Sequence, residues 1–251
     1  MTNLKNFNKN LKYYEKHGFT ICKKIIDSGT INKMKKDLNK FLKADLKKLK
    51  KHEVHFSKDK SVNSLHNLKK WKWISKIQKD KNIKKLVKNI LGSKTRKFGA
   101  ELFAKPAKTG MDVPIHQDNY YWCTKSGKGI TIWISLGKSN KKNGAIFYFS
   151  GSHKLGLLEH KISYKPGNSQ VLKNLSSIKF LKKITPNLNP GDCIIHSSLV
   201  VHGSDKNLSK DSRPGITLRY LPGDEVFDLG RRRIYLKELK KNLKGLNNAR
   251  L

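Results

Sequence analysis

The segment Val113-Pro114-Ile115-His116-Gln117-Asp118-Asn119-Tyr120-Tyr121-Trp122 contains an HxD triplet within a run that is typical of extended chain. Residues i and i+2 of a strand project to the same face, so His116 and Asp118 can aim an imidazole and a carboxylate at one point. On a helix the two side chains would diverge by roughly 200°. Because HxD triplets also occur by chance, a metal centre here requires a third ligand from elsewhere in the chain.

Two downstream histidines, His196 and His202, compete for that third position. Their separation of six residues gives them the same strand parity, so alternation does not choose between them. Two neutral imidazoles and one carboxylate form the facial triad of non-haem Fe(II) oxygenases, which leaves coordination positions open. Zinc also accepts two His and one Asp, but no HExxH helix or catalytic Glu accompanies this group.

Arg213 follows His202 by 11 residues, and one turn between them is enough to place it on a strand beside the one that carries His202. The chain contains 48 Lys and only 7 Arg, so each Arg is informative. A buried dicarboxylate needs a planar, permanently charged, bidentate donor, which Arg provides better than Lys. Arg219, six residues later, is the rival for this role.

The composition of the 251-residue chain permits a sizeable core, with 36% apolar and 9% aromatic residues, but its formal net charge is +37. Because the charge is mostly Lys, is spread along the chain and accompanies 21 Asn, we interpret it mainly as a compositional bias. The three cysteines form neither a disulfide framework nor a CxxC zinc site. No long apolar run or signal-like N-terminus is present, so we expect a cytoplasmic protein without membrane insertion.

Hydrophobic periodicity predicts one domain over residues 1–251, with a helical part at 1–95, a β-rich core at 96–225 and a basic C-terminal helix at 226–251. Many short strands separated by Gly, Pro and Asn favour an antiparallel sandwich or barrel. Residues 154–188 are Lys-rich and are interpreted as an insertion or lid. Helices are predicted at 8–16, 30–49 (capped by Thr30), 71–91 and 234–246, a loop at 50–68, and strands at 19–22, 98–104, 120–123, 130–136, 145–149, 193–195, 199–202 and 216–221.

Taken in order, these motifs resemble the phytanoyl-CoA dioxygenase family of Fe(II)/2-oxoglutarate oxygenases. The similar segments are Tyr13–Ile21, Glu101–Pro106, His116–Asp118, Ile132–Leu136, Asn143-Gly144, Gly151–Lys154, Pro190–Asp192 and His202–Ser204 with Arg213. The similarity fades at 154–188 and after Asp224. The resemblance implies a mainly β fold with flanking helices, namely a cupin-like double-stranded β-helix (jelly-roll) core with the N-terminal helices packed on it.

The resemblance also implies roles for individual residues. The implied metal ligands are His116, Asp118 and His202, and Arg213 would hold the far carboxylate of 2-oxoglutarate. Near that cosubstrate the resemblance places Trp133, Ser204 and Glu101. By analogy, the substrate wall would consist of Gln117, Asn119, Tyr120 and Tyr121. The remaining histidines are expected beside the site or in the core (His196), in a structural loop (His153) or at the surface (His17, His52, His55, His66 and His160).

The implied function is an Fe(II)/2-oxoglutarate-dependent dioxygenase that uses O₂ to hydroxylate a small organic substrate, with release of succinate and CO₂. The positive charge favours an anionic substrate, and the carboxylate of Asp118 favours hydroxylation, because halogenating relatives lack it. The alternatives are an acyl-CoA hydroxylase of the same family, or a basic module that binds nucleic acid or membrane without catalysis. We expect no specific nucleic-acid partner, and the sequence does not define an oligomeric state.

Overall fold

The computed structural model describes residues 4–248 of the chain, which contain six α-helices and thirteen β-strands. The helices are α1 (Leu4–His17), α2 (Ser28–Ala44), α3 (Lys72–Gln78), α4 (Lys81–Leu91), α5 (Asp118–Trp122) and α6 (Leu229–Asn248). The strands are β1 (Phe19–Cys22), β2 (Val54–Phe56), β3 (Val62–Leu65), β4 (Thr95–Phe103), β5 (Val113–His116), β6 (Ile130–Ser135), β7 (Ile146–Phe149), β8 (His160–Lys165), β9 (Asn168–Leu172), β10 (Lys183–Ile184), β11 (Cys193–Ser197), β12 (His202–Ser204) and β13 (Gly215–Pro222). None of the helices within residues 4–248 is long and apolar enough to cross a membrane.

The strands form two antiparallel sheets and a separate hairpin. The larger sheet has the order β1-β11-β6-β13-β4-β3-β2, the smaller sheet has the order β10-β7-β12-β5, and β8 pairs with β9. Between the two sheets Phe19, Trp133 and Ile194 of the larger sheet pack with Tyr148 of the smaller sheet. This arrangement confirms the predicted jelly-roll core.

The outer face of the larger sheet is covered by the N-terminal helices. Ile31, Met34 and Leu38 of α2 belong to one apolar cluster with α4 and with the central strands. All six residues of β6 are buried, because one face of this strand meets the helices and the other faces the sheet opposite. Each fully buried Ile contributes about 1.5–3 kcal/mol to stability, so this helical layer holds the larger sheet firmly in place.

The predicted bounds of two helices are wrong. The cap of α2 is Asp27, whose carboxylate accepts a 2.8 Å hydrogen bond from the Thr30 N–H, and the helix ends at Ala44 rather than Leu49. The predicted helix at 71–91 is divided, because Asp80 accepts hydrogen bonds from two amides of the next turn and starts α4. The end of α4 at Gly92 (φ 82°) is as predicted, since glycine adopts this backbone conformation without a steric cost.

Three further segments differ from the prediction. The expected loop at 50–68 contains β2 and β3, which extend the larger sheet. The expected strand at 120–123 is part of α5, since Asn119 and Cys123 close a helical turn with a 2.9 Å backbone bond. Residues 199–202 contribute only His202 to a strand, because Val200 N–H closes a turn onto Ser197. The insertion at 154–188 contains β8 and β9 as a hairpin, followed by β10.

The position of Arg213 also differs from the prediction. It lies just before β13, which belongs to the larger sheet, whereas His202 lies on β12 of the smaller sheet. The chain crosses from one sheet to the other between them, so the two residues approach the interior from opposite sheets. They are not on neighbouring strands.

Candidate active site

His116, Asp118 and His202 converge in the interior, where one potential ligand atom of each lies within 4.8 Å of the others. β5 ends at His116 and Asp118 is the first residue of α5, but Gln117 between them is extended (φ −120°, ψ 133°). The i, i+2 relation of a strand therefore persists for one residue beyond β5. β12 pairs with β5 so that His202 lies opposite His116. Strand pairing thus brings together residues that are distant in sequence.

Backbone carbonyls orient both imidazoles. Nδ1 of His116 lies 2.7 Å from the Pro114 carbonyl oxygen, and Nδ1 of His202 lies 3.1 Å from that of Val200. A carbonyl can only accept, so each ring holds its proton on Nδ1 and keeps the lone pair of Nε2 free. Burial also holds the pKa of His202 well below its usual value. The neutral state that a metal requires is therefore the resting state of this ring.

The carboxylate of Asp118 is held by two neighbours. The Thr131 hydroxyl donates a 2.6 Å hydrogen bond to Oδ2, and Nε2 of His196 lies 3.3 Å from the same oxygen. Burial opposes ionisation, but the surrounding imidazoles of His116, His196 and His202 outweigh it and hold the pKa of Asp118 well below its usual value. His196 also contacts the Tyr148 hydroxyl at 3.0 Å through Nδ1. His196 therefore lies beside the Asp118 carboxylate, as expected.

Arg213 is a buried cation that lacks a counter-ion among the described residues. It is only 2% exposed, and its Nε and Nη1 have no hydrogen-bond partner there. Its guanidinium carbon lies 5.1 Å from the Trp133 ring centroid. Burial lowers the pKa of Arg213 to about 10, so it remains charged at neutral pH. An uncompensated buried charge is costly, and this one faces the same cavity as the triad, which indicates an anion site.

Arg219, the rival, is already paired. Its Nη2 lies 2.5 Å from Oε2 of Glu101, and Nδ1 of His66 lies 2.9 Å from Oε1 of the same carboxylate. The charges of Glu101 and Arg219 therefore cancel within the cavity wall. The structure thus distinguishes the two arginines, because within residues 4–248 only Arg213 of this pair lacks a carboxylate partner.

Ser204 is oriented by a buried lysine that the sequence analysis did not single out. Nζ of Lys105 donates to the Ser204 hydroxyl at 2.6 Å, and also to the backbone carbonyls of Gly144 and Asp205. Lys105 is 2% exposed, and burial lowers its pKa to about 6. No local pattern separates Lys105 from the other 47 lysines, so only the fold reveals it.

A single cavity of about 400 Å³ joins the triad to most of the other predicted site residues. Its lining includes His116, Asp118, His202, Arg213, Trp133, Ser204, Glu101 and Tyr121. Three predicted substrate residues do not belong to the described lining. The Gln117 amide binds the carbonyls of Gly156 and Leu199, the Asn119 side chain binds Thr124, and the Tyr120 hydroxyl binds Glu238. These side chains shape the loops around the cavity.

Four histidines expected at the surface are part of the site or its support. The hairpin of β2 and β3 brings His52, His55 and His66 to the cavity, because it extends the larger sheet beside β4. His160 is buried, and its Nε2 accepts a 3.0 Å hydrogen bond from the Gln117 N–H. The surface prediction is therefore wrong for His160, which is buried, and for His55 and His66, which are partly buried, whereas His52 is exposed as predicted although it also lines the cavity. No local pattern marks these positions, because they depend on strand pairing.

The C-terminal helix α6 covers one side of the cavity. Its lining residues are Tyr235, Leu239, Asn242, Leu243 and Leu246. The spacing of 4, 7, 8 and 11 residues is that of one helical face, so the periodicity was readable in the sequence. The sequence predicted this amphipathic helix, but not that one of its faces lines the cavity.

The chain matches a family model described as phytanoyl-CoA dioxygenase (PhyH) over residues 14–215. The chain belongs to the phytanoyl-CoA dioxygenase family. It is 22% identical to "Phytanoyl-CoA dioxygenase, peroxisomal" of Homo sapiens over 85% of this chain and 68% of that protein. It is 25% identical to "Probable phytanoyl-CoA dioxygenase" of Caenorhabditis elegans, over 85% of this chain and 74% of that protein.

Solved structures share the fold. The epimerase SnoN in complex with Fe³⁺, alpha ketoglutarate and nogalamycin RO superposes with a TM-score of 0.75 at 16% identity, over 90% of this chain and 87% of that one. EctD from S. alaskensis, with 2-oxoglutarate and 5-hydroxyectoine, gives a TM-score of 0.74 at 16% identity, over 88% and 77%. Membership of the phytanoyl-CoA dioxygenase family makes this chain an Fe(II)/2-oxoglutarate-dependent oxygenase, which confirms the enzyme class implied by the sequence.

Proposed function

We propose that this chain hydroxylates a small organic substrate in a reaction that consumes O₂ and 2-oxoglutarate and releases succinate and CO₂. The observation that carries the proposal is one cavity that contains both a His-Asp-His group and a buried, unpartnered arginine. The first arrangement suits Fe(II), and the second suits the far carboxylate of a dicarboxylic acid. Two enzymes of the same fold are described with alpha ketoglutarate or 2-oxoglutarate bound, which supports this pairing.

His116, Asp118 and His202 are the proposed metal ligands. Both imidazoles keep Nε2 free, and the Asp118 carboxylate is ionised and buried, so the donor set fits a divalent ion that needs two nitrogens and one oxygen. Bound Fe(II) would supply O₂ activation and the oxidation of a substrate C–H bond. The presence of Asp118 favours hydroxylation over halogenation, because its carboxylate would be a metal ligand that halogenating relatives lack.

Arg213 is the proposed anchor of 2-oxoglutarate. Its Nε–H and Nη1–H are free to donate to a carboxylate, and such a pair forms a bidentate contact. Ser204 accepts a hydrogen bond from Lys105, so its own hydroxyl proton remains free to donate to the cosubstrate. The far carboxylate would then neutralise Arg213. Trp133 limits the pocket on one side, and Gly215 is required beneath it, since a Cβ there would lie 2.0 Å from the ring.

We assign Tyr121 and Glu101 to the substrate side of the cavity, although the resemblance placed Glu101 near the cosubstrate. Glu101 neutralises Arg219 and holds it in place, so a substrate would meet these two residues as an ion pair without net charge. The Tyr121 ring packs edge-on to His116 at 5.4 Å between centroids, and its hydroxyl donates to the Gln170 carbonyl. This contact fixes the ring beside a metal ligand, where it would limit how closely a substrate approaches.

A second candidate is an acyl-CoA hydroxylase, because the relatives from Homo sapiens and Caenorhabditis elegans are named as phytanoyl-CoA dioxygenases. The cavity gives it less support, because no lysine is present among the described lining residues and the phosphates of coenzyme A would have to bind outside. The Lys-rich segment 154–188 would be the surface for them. The anionic substrate expected from the net charge would also lack a cationic partner in the cavity, because Arg219 is paired with Glu101 and Arg213 is assigned to 2-oxoglutarate.

The test is a turnover assay with a matched histidine control. Protein loaded with Fe(II) without oxygen is mixed with O₂ and 2-oxoglutarate, and succinate is measured. We expect wild-type protein and His153→Ala, which lies outside the cavity lining, to form succinate well above the background of His116→Ala. Wild-type activity no higher than the His116→Ala background would contradict the proposed function. Adding phytanoyl-CoA distinguishes the second candidate, because only an acyl-CoA hydroxylase would form succinate faster in its presence.

A further inference from the structure

Helix α6 is fixed over the cavity by contacts from its first half. The Arg231 guanidinium donates to the Thr124 carbonyl at 2.5 Å, and Glu238 accepts hydrogen bonds from the Tyr120 hydroxyl at 3.1 Å and from the Gln170 amide at 3.0 Å. In its second half, a Cβ at Gly245 would lie 2.7 Å from the Tyr164 ring, so α6 packs closely on the hairpin of β8 and β9. The face of α6 that lines the cavity is therefore held in a defined position.

Asn242 is the polar residue at the centre of that face. It is 2% exposed and lines the cavity, and its Oδ1 has no hydrogen-bond partner among the described residues. A buried amide oxygen left unpaired costs about 1–3 kcal/mol. Since nothing in the described chain donates to it, a donor on a ligand in the cavity would remove this cost.

The walls near Asn242 are mainly apolar. Leu239 and Leu243 flank it on α6, and Phe98 and Trp122 contribute rings to the same cavity. Apart from the Arg213 donors, three donors without partners among the described residues also line this cavity, namely Nε–H of Arg219 and Nε1–H of Trp122 and Trp133. A hydroxyl group can donate to Asn242 and accept from one such donor, so it suits these walls better than a carboxylate does.

The charge in the cavity argues against a charged ligand. The chain has 48 lysines, yet none is among the described lining residues. Arg219 is neutralised by Glu101, and the other lining guanidinium, Arg213, is assigned to the cosubstrate. A carboxylate or phosphate on the substrate would lose its hydration without gaining an unpaired guanidinium or ammonium partner. The large net charge therefore belongs to the outer surface.

We propose that Leu239, Asn242 and Leu243 of α6 form, with the Glu101–Arg219 pair, a subsite for an uncharged, compact and mainly apolar molecule that donates one hydrogen bond to Asn242. This inference rests on the proposed function, because a molecule bound in the subsite is a substrate only if its reacting C–H bond lies beside the triad. It names a substrate class, an alcohol or a similar neutral donor, that the net charge of the chain does not suggest.

Three probes with one carbon skeleton test the charge preference: 1-adamantanol, adamantane-1-carboxylate and 1-adamantylammonium. Binding to the Fe(II)- and 2-oxoglutarate-loaded protein is measured by calorimetry without oxygen, so that no turnover is needed. We expect the alcohol to bind at least tenfold more tightly than either ion. Tighter binding of the carboxylate or the ammonium ion, or no binding of the alcohol, would overturn the proposal.

Two variants test the residues. Asn242→Leu removes the acceptor at similar volume and should weaken alcohol binding about tenfold, as expected for one hydrogen bond of about 1.4 kcal/mol. Lys241→Leu, an exposed neighbour on the same helix, is the matched control and should bind as wild type does. Equal affinity of Asn242→Leu and wild type would overturn the role of Asn242.

Glu101→Gln gives an independent readout that does not alter α6. It removes the charge that compensates Arg219, so the carboxylate probe should gain about tenfold in affinity relative to the alcohol. If the relative affinities of the carboxylate and alcohol probes do not change, the argument that Glu101 neutralises Arg219 for the ligand is overturned. If the probes behave as expected but succinate is never formed, the subsite stands and the proposed function fails. If succinate is formed but the carboxylate probe binds best, the proposed function stands and the neutral subsite fails.

Discussion

The hydroxyl of Thr131 donates a 2.6 Å hydrogen bond to Oδ2 of Asp118. Thr131 lies on β6 directly opposite His196 of β11, and His196 contacts the same carboxylate oxygen at 3.3 Å. One register pair of the larger sheet thus fixes a carboxylate that begins α5. The orientation of the Asp118 side chain is therefore set by the larger sheet, whereas both imidazoles of the triad lie on the smaller one.

Thr131→Val should weaken Fe(II) binding by about 10- to 100-fold, because partners that orient a metal ligand typically contribute that much to affinity. Anaerobic titration with a competing chelator measures the dissociation constant. Thr131→Ser keeps the hydroxyl and should stay within a few-fold of wild type. If the valine variant binds Fe(II) as tightly as the serine variant does, the hydrogen bond to Asp118 has no role in metal binding.

Arg213→Leu should abolish stabilisation by 2-oxoglutarate without destabilising the ligand-free protein, since it removes a buried charge that lacks a partner within residues 4–248. For wild type, cosubstrate at a hundred times its Kd should add about 2.7 kcal/mol to the free energy of unfolding. Thermal unfolding with and without 2-oxoglutarate measures both effects.

The control for this prediction is Arg219→Leu, which should behave in the opposite way. It leaves the Glu101 carboxylate without its guanidinium partner, so the ligand-free protein should lose about 3 kcal/mol while the response to 2-oxoglutarate persists. If Arg219→Leu, rather than Arg213→Leu, loses the thermal response, the assignment of the two arginines must be exchanged.

His160 should make the protein sensitive to acid. Its Nε2 accepts the Gln117 N–H and its Nδ1 donates to the Leu158 carbonyl, so only the neutral ring fits. Burial lowers the pKa of His160 to about 4 from 6.5. The unfolded chain then binds more protons between these values, so this contribution to stability is complete above pH 6.5 and is lost as the pH falls toward 4.

Urea unfolding at pH 7 and pH 4.5 checks this prediction. We expect wild type to lose on the order of 2 kcal/mol more than His160→Gln does, since glutamine can make the same two hydrogen bonds without binding a proton. Equal losses for the two proteins would show that His160 does not couple protonation to folding.

Glu238→Ala should loosen α6 while leaving the triad intact. The carboxylate accepts hydrogen bonds from Tyr120 and Gln170, so its removal frees the helix from both α5 and β9. The basic residues of α6 should then be cleaved several-fold faster by trypsin. Glu159→Ala, which breaks an exposed pair with Lys173, is the control and should leave the cleavage rate unchanged. Equal rates would contradict the role of Glu238 in holding α6.

Local sequence was sufficient for the parts of the molecule whose physics is local. Ile83, Leu86 and Val87 show the period of a helix, and Gly92 ends it, so α4 was predictable. The extended backbone at Gln117 lets a two-residue spacing place His116 and Asp118 together, and the scarcity of Arg singled out Arg213. Together with the other matching motifs, these features carried the resemblance to the phytanoyl-CoA dioxygenase family, and that resemblance implied the jelly-roll core and a consistent set of candidate ligands.

The remaining features depend on which strands pair and which segments pack. His52, His55 and His66 reach the cavity because β2 and β3 extend the larger sheet, and Asn242 reaches it because α6 packs on the hairpin of β8 and β9. Strand pairing and helix docking join residues that are far apart in sequence, and no local pattern records such contacts. The sequence by itself predicted which residue types would form the centre. Tertiary structure alone decided that Arg219 is neutralised by Glu101, that Arg213 lacks a carboxylate partner among the described residues, and that no lysine is among the described residues lining the cavity.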